Sequence, residues 1–86
     1  MKTIHKYELE LADFQQVDMP HGAILMTVII QHGKLCLWAE VQTCNPMRGR
    51  IIEIVGTGNP IASKQTGYIG TVVDGAFVWH VFEKLS

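Results

Sequence analysis

The residues best placed to do chemistry sit where an apolar run, Ile51-Ile52-Glu53-Ile54-Val55, opens into Gly56-Thr57-Gly58-Asn59-Pro60, with Arg48 and Arg50 just before it and Lys64 just after. Without Cβ atoms at Gly56 and Gly58, backbone N–H groups can approach a phosphate closely and form an anion-binding nest, with the Thr57 hydroxyl as a further donor and Asn59 in the same loop. Arg48 and Arg50 would add bidentate phosphate contacts. The pattern is neither a Walker loop nor a glycine fingerprint opening a helix, and Gly56-Thr57-Gly58 before Asn59-Pro60 is equally an ordinary turn. Trp38 and Trp79, each flanked by apolar neighbours, serve either as core or as stacking surfaces for a nucleobase, with Tyr68 as a further ring. His80, between Trp79 and Val81, either finds a partner in the core or faces a ligand pocket.

Catalytic signals are missing. His5, His21, His32 and His80 fall in separate segments without HxxxH, HxH or HExxH spacing, so no metal site is expected. Ser63 and Ser86 are the two serines, and neither stands in a nucleophile elbow. Glu40, Glu53, Asp74 and Glu83 read as carboxylates on solvated strand faces or turns, which leaves no acid–base pair to nominate. The expectation is a protein that is not an enzyme, with no catalytic residues and no cofactor.

The elements that must position these groups are short strands between closely spaced turns: Met19-Pro20-His21-Gly22, His32-Gly33, Asn45-Pro46, Gly56 to Pro60, Gly67 and Asp74-Gly75. Thr3 to Leu11 alternates His5, Tyr7, Leu9 and Leu11 against Lys6, Glu8 and Glu10, the period-2 pattern of a half-buried strand. Phe14 to Asp18 adds a short extended piece. His32-Gly33 predicts a tight hairpin between Ala23–Gln31 and Lys34–Thr43, and Asp74-Gly75 another between Tyr68–Val73 and Ala76–Lys84. Ile24 to Ile30 is apolar on both faces, which predicts cover on both sides, in a sandwich core or against a neighbouring subunit. A helical turn has room only at Ile61 to Thr66. The expected fold is all-β: six or seven mainly antiparallel strands, meander-like, in a compact sandwich or open barrel formed by residues 1–86 as one domain.

Composition bounds the partners. Hydrophobic residues make up 48% of the chain and charged residues 17%, against roughly 25% charged in typical soluble domains. In 86 residues that much apolar surface exceeds what one small core hides, which predicts a homo-oligomer, a dimer or larger. A formal charge of −1 provides no electrostatic footprint for duplex nucleic acid. The longest apolar run, Ala23 to Ile30, is far short of the roughly 20 residues that span a bilayer, and no signal-peptide pattern opens the chain. The expectation is a cytoplasmic protein without a membrane partner, with Cys36 and Cys44 as free thiols and Cys36 in the core.

Lys6-Tyr7-Glu8-Leu9, Met19-Pro20-His21-Gly22-Ala23, Cys36-Leu37-Trp38-Ala39, Val55 to Ile61, Tyr68-Ile69-Gly70-Thr71 and Val78-Trp79-His80-Val81-Phe82-Glu83 together resemble a family of short phage and prophage proteins of unknown function. The resemblance covers nearly the whole chain and implies a phage origin, hence an infected host cell, while bringing no site residues with it. Small oligomeric phage proteins include sponges that sequester nucleotide signals of bacterial immunity, such as ADP-ribose-derived or cyclic nucleotides, and this chain is similar to them in size and ligand-site chemistry. The expected function is therefore binding without turnover of a phosphate-bearing nucleotide. Gly56, Thr57, Gly58, Arg48, Arg50 and Lys64 would hold the phosphates, and Trp38, Tyr68 or Trp79 the base. The alternative is a protein–protein module that docks on a host or phage protein through an apolar face.

Overall fold

A computed structural model describes residues 1–86. The chain forms seven strands and no helix: β1 (Lys2–Leu9), β2 (Phe14–Pro20), β3 (Ile24–Gln31), β4 (Lys34–Gln42), β5 (Met47–Gly56), β6 (Thr66–Asp74) and β7 (Phe77–Lys84). All pairings are antiparallel and build two sheets, β1-β4-β3 and β2-β5-β7-β6, which are not closed into a barrel. This is the expected all-β class with the sandwich rather than the barrel outcome. No helix is long and apolar enough to cross a membrane.

Both predicted hairpins form, the first through the anticipated pair and the second one residue later, with Asp74 in β6 and Gly75-Ala76 making the turn. His32 and Gly33 take φ of 51° and 74°, the two positive angles that a type I′ turn needs to match strand twist. Gly75 has φ of 60°, and Asp74 pairs with Phe77 across it. The meander does not form. Strands β1 and β2, though consecutive, lie in different sheets, and β7 inserts between β5 and β6. Two of the corners that cross between sheets are tied together: His21 N–H donates to the Pro46 carbonyl (2.7 Å) and Asn45 Nδ2 to that of His21 (2.9 Å).

The core lies between the sheets. Leu35, Leu37, Ala39 and Val41 point inward from β4 and meet Ile52 and Ile54 of β5, Val72 of β6 and Val81 of β7, with Met19 and Val28 filling the ends. Alternation places the intervening residues on the outer faces, with its phase shifted by bulges at Met26 in β3 and Ile69 in β6. The sheets approach most closely at β3 and β6, where a Cβ on Gly70 would meet Val28 Cγ2 at 2.9 Å, so only glycine fits without moving β3.

Three sequence expectations change. Strand β3 is covered on one face only within a single chain, because its outer side chains Ile24, Met26 and Ile29 are about half exposed. Ile61 to Thr66 forms no helical turn; it runs as an extended return segment along the outside of the four-stranded sheet. Glu53 is not solvated. That return segment covers it, leaving it 2% exposed, and Glu83 is likewise taken up by an ion pair. Cys36 is buried and Cys44 exposed, both as free thiols.

Candidate functional site

The residues singled out from the sequence separate into four places. Gly56, Thr57, Gly58 and Asn59 form the turn that ends β5, closed by Asn59 N–H donating to the Gly56 carbonyl at 3.0 Å. Gly58, third in the turn, has φ of 90°, the position where a type II turn needs a left-handed residue. Trp79 packs on this turn from the inner face: a Cβ on Gly56 would lie 3.3 Å from its ring and 3.1 Å from Asn59 Nδ2. Glycine at 56 therefore lets the indole lie against the strand. Phe77, two residues earlier on the same face, stacks on Trp79 with centroids 5.5 Å apart and planes at 14°, and is 61% exposed.

Strand β2 ends beside Glu53 and Ile54, so the last residues of β5 have no neighbour on that side. The gap is a cleft of about 320 Å³ lined by Asp13, Phe14, Glu53, Gly56, Pro60 and Trp79 among others. Its volume sits at the small end for ligand pockets, roughly 300–1,000 Å³. Asp13 and Glu53 are its charged groups; no lysine or arginine lines it.

The cations lie elsewhere. Eight steps of β5 separate Arg48 from Gly56, about 26 Å at about 3.3 Å per residue. Arg48 is exposed and donates to the neighbouring Met47 carbonyl. Arg50 is committed: its Nε and Nη2 grip both oxygens of Glu83 and its Nη1 donates to the Ala23 carbonyl at 2.9 Å. The Glu83 hydrogen bonds raise the Arg50 pKa against a smaller opposing effect of burial. Since Ala23 leads into β3, the guanidinium ties the four-stranded sheet to the other one. Lys64 precedes β6, whose start pairs with Lys84 at the far end of β7 from Trp79. One chain therefore does not gather Arg48, Arg50 and Lys64 around the glycine turn. Trp38 lies apart as well, half-buried on the outer face of the three-stranded sheet.

On the outer face of the other sheet the structure does bring predicted residues together. His80 Nε2 lies 2.7 Å from Thr57 Oγ1, its Nδ1 lies 3.0 Å from Thr71 Oγ1, and Thr71 Oγ1 lies 2.5 Å from the Tyr68 hydroxyl. Four side chains from the turn, β6 and β7 thus form one continuous chain. Sequence reasoning missed Thr71, although counting back from the Asp74–Phe77 pairing sets it opposite His80.

Glu53 is the other residue missed. Its carboxylate accepts from Ala62 N–H (2.8 Å), Ser63 N–H (3.3 Å) and Ser63 Oγ–H (2.6 Å), clasping the return segment to the sheet. Burial pushes its pKa up, but those three donors and the Lys84 charge outweigh it and hold the carboxyl below the ordinary value of 4.5. No three His, Cys, Asp or Glu side chains come together as a metal-holding group.

Fold and site define a small two-sheet β-sandwich whose distinguishing features are an aromatic cleft at one strand end and two outer faces of unlike chemistry. The chain belongs to the family described as a domain of unknown function (DUF7352), which matches residues 1–86. No curated protein and no solved structure matches it.

Proposed function

We propose that this chain is a non-enzymatic protein-docking module that works as a homo-oligomer through the outer face of the β1-β4-β3 sheet. The observation that carries this reading is the set of large aliphatic side chains exposed on that face. Ile4 is 53% exposed, Ile24 59%, Met26 49% and Ile29 52%, arranged around half-buried Trp38, with Lys2, Lys6, Glu8 and Glu40 on the same face. Exposed aliphatic side chains gathered on one face mark an interaction surface. A second copy of the chain is the occupant, because the face carries both cations (Lys2, Lys6) and anions (Glu8, Glu40) beside its aliphatic side chains, so a two-fold copy meets it with apolar contacts and opposite charges. The same pairing gives β3 the second cover that its two apolar faces require.

The test is mass by light scattering or native mass spectrometry. Wild type is expected to form a dimer or larger assembly at micromolar concentration, and Ile24→Lys with Ile29→Lys to dissociate it. Fully burying an isoleucine contributes about 1.5–3 kcal/mol, so two charges in their place should weaken association at least about 100-fold. Both positions point away from the core, so circular dichroism should not change. A monomeric wild type, or a double variant of unchanged mass, would sink the reading.

A second reading is favoured by the exposed Phe77 stacked on Trp79 beside the glycine turn. A nucleobase laid on Phe77, with the nucleotide returned unchanged, would make the protein a sequestering agent for a phosphate-bearing signal and, in an infected cell, a counter to host defence. Because carboxylates line the cleft, the phosphates would need Arg48 or Lys64 of another copy. This reading therefore predicts that nucleotide binding is lost whenever the assembly is dissociated.

A further inference from the structure

We propose that the exposed chain Thr57–His80–Thr71–Tyr68 is a binding site for a neutral polyhydroxylated ring, a sugar. It lies on the sheet opposite the docking face and stands independently of that reading. The four side chains face solvent or its margin, where water would satisfy each of them separately. Holding them in a single hydrogen-bonded line costs side-chain entropy, and exposed hydrogen bonds return little net stability. The sheet beneath pairs Tyr68 with Phe82 and Thr71 with His80, with a bulge at Ile69 between the two pairs that brings the Tyr68 hydroxyl and Thr71 onto one outer row. What the arrangement supplies is a row of oriented donors and acceptors on a rigid surface, the preorganisation that a weakly binding polar ligand requires.

The chemistry of that row selects the ligand. The hydroxyls of Thr57, Thr71 and Tyr68 each donate and accept, and each His80 ring nitrogen donates or accepts according to the tautomer. A sugar hydroxyl has the same dual capacity and can insert at either end of the chain. No Lys, Arg, Asp or Glu takes part in it, so it holds no permanent charge to pair with a phosphate or a carboxylate. The Tyr68 ring, 64% exposed and tilted at 59° to Phe82, adds an apolar surface for the C–H face of a pyranose or furanose. Free saccharides and the ribose of a nucleoside share this chemistry.

Titration of ¹⁵N-labelled full-length protein with methyl α-glucopyranoside, adenosine and adenine separates the sources. The amides of Thr57, Tyr68, Thr71 and His80 are expected to shift with the glucoside or with adenosine, with a dissociation constant on the order of millimolar, and not with adenine. Response to adenosine but not the glucoside assigns ribose as the recognised group; the reverse assigns a saccharide. Thr71→Val and Tyr68→Ala should each weaken the response about five- to tenfold while leaving the rest of the spectrum in place, which reports that the variants fold. Shifts that adenine reproduces and that centre on Phe77 and Trp79 would overturn the proposal, as would silence toward all three probes or a response untouched by both substitutions.

Discussion

Glu53→Ala is expected to lower unfolding stability by about 2–4 kcal/mol, since hydrogen bonds to a charged acceptor contribute about 1.5–3 kcal/mol each while the desolvation of the carboxylate offsets part of the sum. Three donors lose their acceptor at once: Ala62 N–H, Ser63 N–H and the Ser63 hydroxyl. For a chain of 86 residues each kcal/mol lowers Tm by about 4–8 °C, so thermal melts resolve the effect easily. Glu53→Gln should recover only part, because its amide keeps one acceptor oxygen and points N–H donors at another donor. The pH dependence has a definite sign. The folded-state pKa of Glu53 lies below its ordinary value of 4.5. Its contribution is therefore complete above that value and is lost as pH falls through the folded-state pKa. Urea midpoints of wild type should drop across that acid window, and those of Glu53→Gln should drop less. An alanine variant within about 0.5 kcal/mol of wild type, the range of ordinary surface substitutions, would mean the return segment is not held by this clasp.

Arg50→Ala should also cost about 2–4 kcal/mol, read from denaturant midpoints. Breaking a buried ion pair by removing one partner costs about 3–5 kcal/mol. The figure here is discounted because the Arg50 and Glu83 side chains retain 23% and 14% of their exposure and water screens part of the interaction. Arg50 also leaves the Ala23 carbonyl without its donor. Arg50→Lys should rescue little, since an ammonium cannot grip two carboxylate oxygens and a carbonyl together in one plane. The same variant bears on the nucleotide reading. If Arg50 acts as the structural tie between sheets, folded Arg50→Ala protein binds any nucleotide as wild type does, whereas Arg48→Ala in the intact assembly weakens it. A destabilisation under about 0.5 kcal/mol joined to loss of nucleotide binding would restore Arg50 as a ligand contact.

Much of the fold was legible because its determinants are local. The left-handed pair His32-Gly33 and the turn at Gly75 fix two hairpins and, with them, the register of β3 on β4 as far as Thr27 and of β6 on β7 as far as Gly70, where bulges shift it. Period-2 patterning separates inner from outer residues on β4, where Leu35, Leu37, Ala39 and Val41 are buried as a set. The position of Thr71 opposite His80 was therefore implicit in the sequence, one counting step beyond the hairpin. The Gly56–Asn59 turn was also readable, and it closes with a left-handed Gly58.

What the sequence determined by itself is the class: short strands, tight turns, and an apolar surplus that one small core cannot absorb. Only the tertiary structure decided which strands are neighbours, because pairings distant along the chain are set by packing between sheets and leave no local signal. That choice runs β5 as a single strand of ten residues and so carries Arg48 to the opposite end from Gly56, although they are close in sequence. It brings Glu83 within reach of Arg50, whose guanidinium then ties the two sheets together. It also folds residues 59–63 back over the outer face, which buries a carboxylate at a position that alternation assigns to solvent.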